Sequence, residues 1–132
     1  MQFLADEIYT NKPDVIIFGY EEVVNGKEIE HSFCINYEIN QIKENIVSDI
    51  WPSCSCNKCF KRKLFDNIRF PKGMVYEDLY IIPQIVYNII LIPIINNVLY
   101  LHNRNNFNSI TINVNSKRGF DCLLAILKNY EL

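Results

Sequence analysis

Asp14-Val15-Ile16-Ile17-Phe18-Gly19-Tyr20 is a nearly unbroken apolar run of strand length, rich in β-branched residues. A strand with one wet face alternates polar and apolar residues, whereas a strand covered on both faces stays apolar throughout. The run therefore predicts a strand buried on both sides, as in a sheet flanked by helices. Just beyond it, Val23-Val24-Asn25-Gly26-Lys27 carries a hairpin signal, because Asn-Gly readily takes the positive φ angles of a type I′ turn. The hairpin strands are expected over about residues 20–24 and 27–34.

Upstream of the run, Phe3, Leu4 and Ile8 share one helical face that ends near Asn11-Lys12-Pro13. Downstream, Ile39, Ile42, Ile46 and Ile50 recur at helical steps and predict an amphipathic helix stopped by Trp51-Pro52. Residues 57–65 have no single reading. Phe70-Pro71-Lys72-Gly73 is a loop, and a helix begins near Tyr76, kinked or restarted at Pro83. Residues 94–101 read as a strand and 104–108 as a loop. Ser116 is a good N-cap for a last helix whose Phe120, Leu123, Leu124 and Leu127 share a face. This order gives an α/β fold with a mixed sheet flanked by helices, in one domain over residues 1–132.

Composition narrows the function classes. Hydrophobic residues make up 49% and charged residues 21%, which excludes a disordered tail. The net charge is −2, and the longest basic cluster, Lys58, Lys61, Arg62 and Lys63, is too small to suggest a nucleic-acid partner. The first residues carry Asp6 and Glu7 where a secretion signal needs cations. With no such signal, the five cysteines are expected to be reduced thiols in the cytoplasm. The apolar stretch from Leu79 to Leu101 holds Pro83, Gln84, Asn88, Pro93, Asn96 and Asn97, so no transmembrane helix is expected there.

Two segments carry candidate chemistry. Cys54-x-Cys56-x-x-Cys59 could hold zinc with Cys34 or His31, but it contains a single Cys-x-x-Cys knuckle, and free cysteines also serve as small apolar residues. Arg69-Phe70-Pro71-Lys72-Gly73-Met74-Val75-Tyr76-Glu77-Asp78 is a Pro/Gly loop that delivers two adjacent carboxylates to a helix start. Backbone N–H groups stabilise ionised carboxylates there. Acids are also favoured in any first helical turn, so the pair has a structural reading beside the catalytic one. No Gly-x-Ser-x-Gly, His-Glu-x-x-His or phosphate-binding glycine loop is present.

Asn57-Lys58-Cys59-Phe60-Lys61-Arg62-Lys63-Leu64-Phe65, then Ile68-Arg69-Phe70-Pro71-Lys72-Gly73, then Tyr76-Glu77-Asp78-Leu79-Tyr80 resemble, in order and spacing, the second half of family 2 glycosyltransferases. Leu99-Tyr100-Leu101-His102 followed by Asn108-Ser109-Ile110-Thr111 resembles the family's closing block, and Phe3-Leu4 through Tyr20 its helix and strand after the metal-binding loop. The resemblance implies a partial GT-A fold. It also implies inverting transfer of a sugar from a nucleotide-sugar donor to a glycan acceptor hydroxyl, in bacterial surface polysaccharide synthesis such as capsule or lipopolysaccharide. By this resemblance Asp78 is the general base and Glu77 holds the acceptor or the loop. Tyr76, Lys58, His102 and Arg104 are the implied substrate-binding residues, with His102 or Arg104 facing the diphosphate. Lys58 has a solvated-lysine reading beside the phosphate-binding one.

The family holds Mg²⁺ or Mn²⁺ through an Asp-x-Asp motif, and no Asp-x-Asp occurs in these 132 residues. No metal ligand is therefore assigned in this chain, and the resemblance covers the acceptor-side half. That half is expected to be incomplete by itself, to leave an apolar face or sheet edge uncovered, and to form a homodimer or pair with an N-terminal half. The expected location is cytoplasmic, and peripheral association with the inner face of the cell membrane is compatible with it. The alternatives are a non-catalytic remnant acting as an interaction module and a small zinc-binding adaptor.

Overall fold

The computed structural model describes residues 2–31, 54–89, 91–106, 109 and 115–132. The helix expected from Ile39 to Ile50, with Trp51-Pro52, lies outside the described residues, as do Cys34, Asn108, Ile110 and Thr111. The apolar run forms the centre of a four-stranded mixed sheet. Strand β1 (Val15–Val24) is continuous for ten residues and joins the apolar run to the first hairpin strand. It turns at Asn25 and Gly26, whose φ angles of 50° and 74° match the expected hairpin turn, into β2 (Lys27–His31).

Residues 57–65 resolve into a short strand, β3 (Lys58–Phe60), and a 3-10 turn, Arg62–Phe65. Both β2 and β3 pair antiparallel with β1, β2 along Tyr20–Val24 and β3 along Val15–Ile17. The opposite edge of β1 pairs in parallel with β4 (Ile94–Asn103). That ladder slips register on both sides of Gly19. A Cβ on Gly19 would lie 3.2 Å from the Asn97 carbonyl oxygen, so glycine permits the close approach at the slip.

Helix α1 (Gln2–Asn11) precedes the sheet and buries none of its own residues. Helix α2 (Glu77–Tyr87) supplies the other wall of the core. Val15 and Ile17 of β1 pack with Ile81, Ile82, Ile85, Val86 and Ile89, and Phe60, Leu64 and Ile94 close around them. Ile16 and Phe18 are buried as well, so β1 is covered on both faces as its composition requires. Pro83 does not break α2; it lies within the helix, and the carbonyl it would leave without a donor, that of Leu79, accepts from Asn129 Nδ2 at 3.2 Å.

Helix α3 (Ser116–Asn129) differs from expectation twice. Its N-cap is Asn115 rather than Ser116: Asn115 is extended, and its Oδ1 accepts from the Arg118 amide at 3.0 Å. Its orientation is also inverted. Arg118, Asp121, Ala125 and Asn129 are buried, and Phe120, Leu123, Leu124 and Leu127 are exposed. The polar stripe faces inward because it meets backbone groups of the loop before α2 and of α2 itself, which need hydrogen-bond partners. No helix among the described residues is long and apolar enough to cross a membrane.

Candidate functional site

The loop 73–76 ends in two left-handed residues, Gly73 at φ 72° and Tyr76 at φ 65°. Glycine takes this conformation at little cost, whereas an aromatic residue is strained there. Helix α3 compensates. Arg118 Nη2 donates to the Tyr76 hydroxyl at 2.6 Å, and its guanidinium carbon lies 5.4 Å from the ring centroid. Lys117 Nζ donates to the Gly73 carbonyl at 2.7 Å and to Asp121 Oδ2. Asp121 Oδ2 also accepts from the Val75 amide at 2.9 Å. The lysine bond first, then the Val75 amide, hold the Asp121 carboxyl below its ordinary value.

Tyr76 is the residue before α2, so this anchored loop fixes where the helix begins and where Glu77 and Asp78 point. Both acids stand in the first turn, as expected, and both are part-exposed. Asp78 Oδ1 accepts from the amide of Leu79 at 2.8 Å.

Lys58 stands beside this turn. Its register partner is Ile17, whose side chain belongs to the core under α2, so Lys58 is directed to the same face. It is 7% exposed, which corrects the solvated reading of this lysine. Nζ donates to Asn57 Oδ1 at 2.8 Å and to the Cys54 carbonyl. Burial pushes its pKa down to about 7, and the charge of Asp78 opposes part of that fall. Asn57 is fully buried, and its Nδ2 has no hydrogen-bond partner among the described residues.

A second charged group lies at the carboxyl ends of β1 and β4. His102 is the register partner of Glu22, and its Nδ1 stands 3.5 Å from Glu22 Oε1; Arg104 Nε is 3.6 Å from the same oxygen. Burial first, then Glu22, raise the pKa of Tyr20 at the edge of this group. Five strand positions separate Ile17, beside Lys58, from Glu22, which is roughly 17 Å of strand. The expected substrate-binding residues thus form two groups. Lys58 and Tyr76 flank the carboxylates, while His102 and Arg104 share Glu22 at the sheet end.

The cysteine cluster departs from expectation. Cys54 and Cys56 form a disulfide with Cα atoms 5.6 Å apart, so the reading of five reduced thiols is corrected at these two. Their bond removes two of the thiolates named for zinc, while Cys59 is free. Among the described residues no group of three His, Cys, Asp or Glu could hold a metal ion. Glu22 and His102 would offer two ligands only, with the guanidinium of Arg104 repelling a cation. The described residues therefore do not fit the divalent metal of the resembled family.

The sequence motifs do not assign a site role to Asn57, Glu22, Arg118, Asp121 or Asn129. Arg118, Asp121, Ala125 and Asn129 do recur at helical spacing, a polar stripe with one small residue, which is the signature of an inward polar face. Asn57 and Glu22 have no comparable local pattern. No family model matches the chain, and neither a curated protein nor a solved structure matches it.

Proposed function

We propose that this chain is the acceptor-side part of an inverting glycosyltransferase, moving a sugar from a nucleotide-sugar donor to a glycan hydroxyl in bacterial surface polysaccharide synthesis. The observation that carries the reading is the carboxylate of Asp78, fixed in the first turn of α2 by an anchored loop and set near a buried lysine. A hydroxyl is a weak nucleophile, so a positioned base must take its proton as its oxygen bonds to the anomeric carbon. Asp78 takes that proton, the anomeric bond to the diphosphate breaks, and the nucleoside diphosphate leaves with its electron pair. Lys58 keeps a titratable charge beside Asp78, and Glu77 orients the acceptor or the loop. By the resemblance, His102 or Arg104 would face the diphosphate.

The reading assigns no metal ligand to these residues and takes the donor and metal site from an N-terminal half, in the same chain or in a partner, at the cytoplasmic face. It is tested by adding such a half, with its nucleotide sugar, and following glycan product by mass spectrometry. Asp78→Asn should abolish product while the nucleotide still binds. Full activity of that variant would remove Asp78 as the base, and no transfer with any donor half overturns the reading. A non-catalytic interaction module is the second reading, favoured by the apolar residues that α3 turns to solvent.

A further inference from the structure

We propose that the exposed face of α3 is the contact surface of an antiparallel pair formed with a second copy of this chain. This inference is independent of the glycosyltransferase reading. Phe120, Leu123, Leu124 and Leu127 are 61%, 51%, 40% and 52% exposed on one stripe of a 14-residue helix. The opposite stripe is engaged, because Arg118, Asp121 and Asn129 hold the loop before α2 and α2 itself. Among the described residues, the helix cannot roll to bury its leucines without giving up those bonds.

Three features select a second copy as the occupant. First, the stripe is self-complementary. About a point between Leu123 and Leu124, an antiparallel copy places Phe120 against Leu127 and Leu123 against Leu124. A two-fold contact requires one patch that fits itself in this way. Second, the helix dipoles favour the antiparallel arrangement of two copies of α3. Antiparallel apposition sets the dipole of one helix against that of the other, whereas parallel apposition aligns them. Third, the area suffices. With Tyr130 included, the stripe exposes on the order of 500 Å² per copy, so a pair buries ~1,000 Å², the lower bound of a specific interface. The pair should accordingly be concentration-dependent rather than permanent.

The test is sedimentation of the full chain over a concentration series. A monomer–dimer equilibrium is expected, and Leu124→Glu should raise the apparent Kd by about tenfold or more, since each pair would bury two unpaired carboxylates. The circular dichroism of this variant should not change, because residue 124 lies on the exposed stripe of α3. Orientation is read by oxidising an equal mixture of Phe120→Cys and Leu127→Cys proteins, both carrying Cys122→Ser. Crosslinked heterodimers are expected. A monomer at every concentration, a dimer indifferent to Leu124→Glu, or Phe120→Cys homodimers crosslinking in preference would each overturn the proposal. So would a monomer whose α3 binds anionic lipid vesicles, which would assign the stripe to a membrane surface.

Discussion

The side-chain amide of Asn129 donates to the Leu79 carbonyl at 3.2 Å, the acceptor that Pro83 leaves without its helical N–H. A residue fifty positions later in the chain thus completes the hydrogen bonding of α2. The gap and its filler are on different helices, so they form one unit of stability.

Asn129→Ala should leave a buried carbonyl unsatisfied and destabilise the fold by about 1–3 kcal/mol in urea denaturation. Pro83→Ala restores the native helical donor to Leu79. In that background Asn129→Ala should cost less by about 1 kcal/mol, a coupling that a double-mutant cycle isolates. Equal costs in both backgrounds would show that the two residues are not linked.

Tyr76→Phe removes the hydroxyl that accepts from Arg118 and keeps the ring beneath the guanidinium. We expect a loss of about 1–2 kcal/mol, with amide exchange rising first at residues 73–76. Acid should act on the same loop. The Asp121 carboxyl is held low when folded, so its stabilisation is present above the unfolded value and is lost as pH falls through the folded one. Asp121→Asn should show a shallower acid transition. Unchanged exchange in the loop of the Tyr76→Phe protein would remove α3 as its anchor.

The sequence discloses those parts of this molecule that depend on local pattern. The two-sided burial of Val15–Phe18, the Asn25-Gly26 turn and the acids at the head of α2 follow from neighbours in the chain. The rest depends on remote partners. Lys58 looks like any member of a basic cluster until its register partner proves to be Ile17, beneath α2. The leucines of α3 look like core until the polar stripe opposite them meets the loop before α2. Pro83 looks like a break because its compensating donor is on another helix.

Lys58 should make stability depend on pH in a defined direction. Its pKa is about 7 when folded, against 10.5 for an ordinary lysine. Between those values the unfolded chain holds a proton that the folded chain has released. Raising the pH through this window therefore stabilises the fold, at up to about 1.4 kcal/mol per pH unit. Below about pH 7 both states are protonated, and the penalty of burying the ammonium is full and constant. Lys58→Met lacks this titration. Between pH 7 and pH 9 the wild type should gain about 2 kcal/mol relative to that variant. A gain of opposite sign, or none, would place the lysine in water.

Asp78→Asn gives a test of the site that does not depend on any enzymatic reading. The charge of Asp78 supports the protonated form of Lys58 against the cost of burial. Neutralising it leaves burial unopposed by that charge, so Lys58 should titrate below its wild-type value of about 7. The ¹³Cε chemical shift of Lys58, followed against pH in both proteins, measures the difference directly. An unchanged titration would mean that Asp78 and Lys58 do not share a field, and the candidate site would lose the lysine. A lowered titration together with lost transfer in the complemented enzyme would join the electrostatic pair to the chemistry. A lowered titration with transfer intact would leave the pair in place and move the base elsewhere, with Glu77, the neighbouring carboxylate, the next residue to replace.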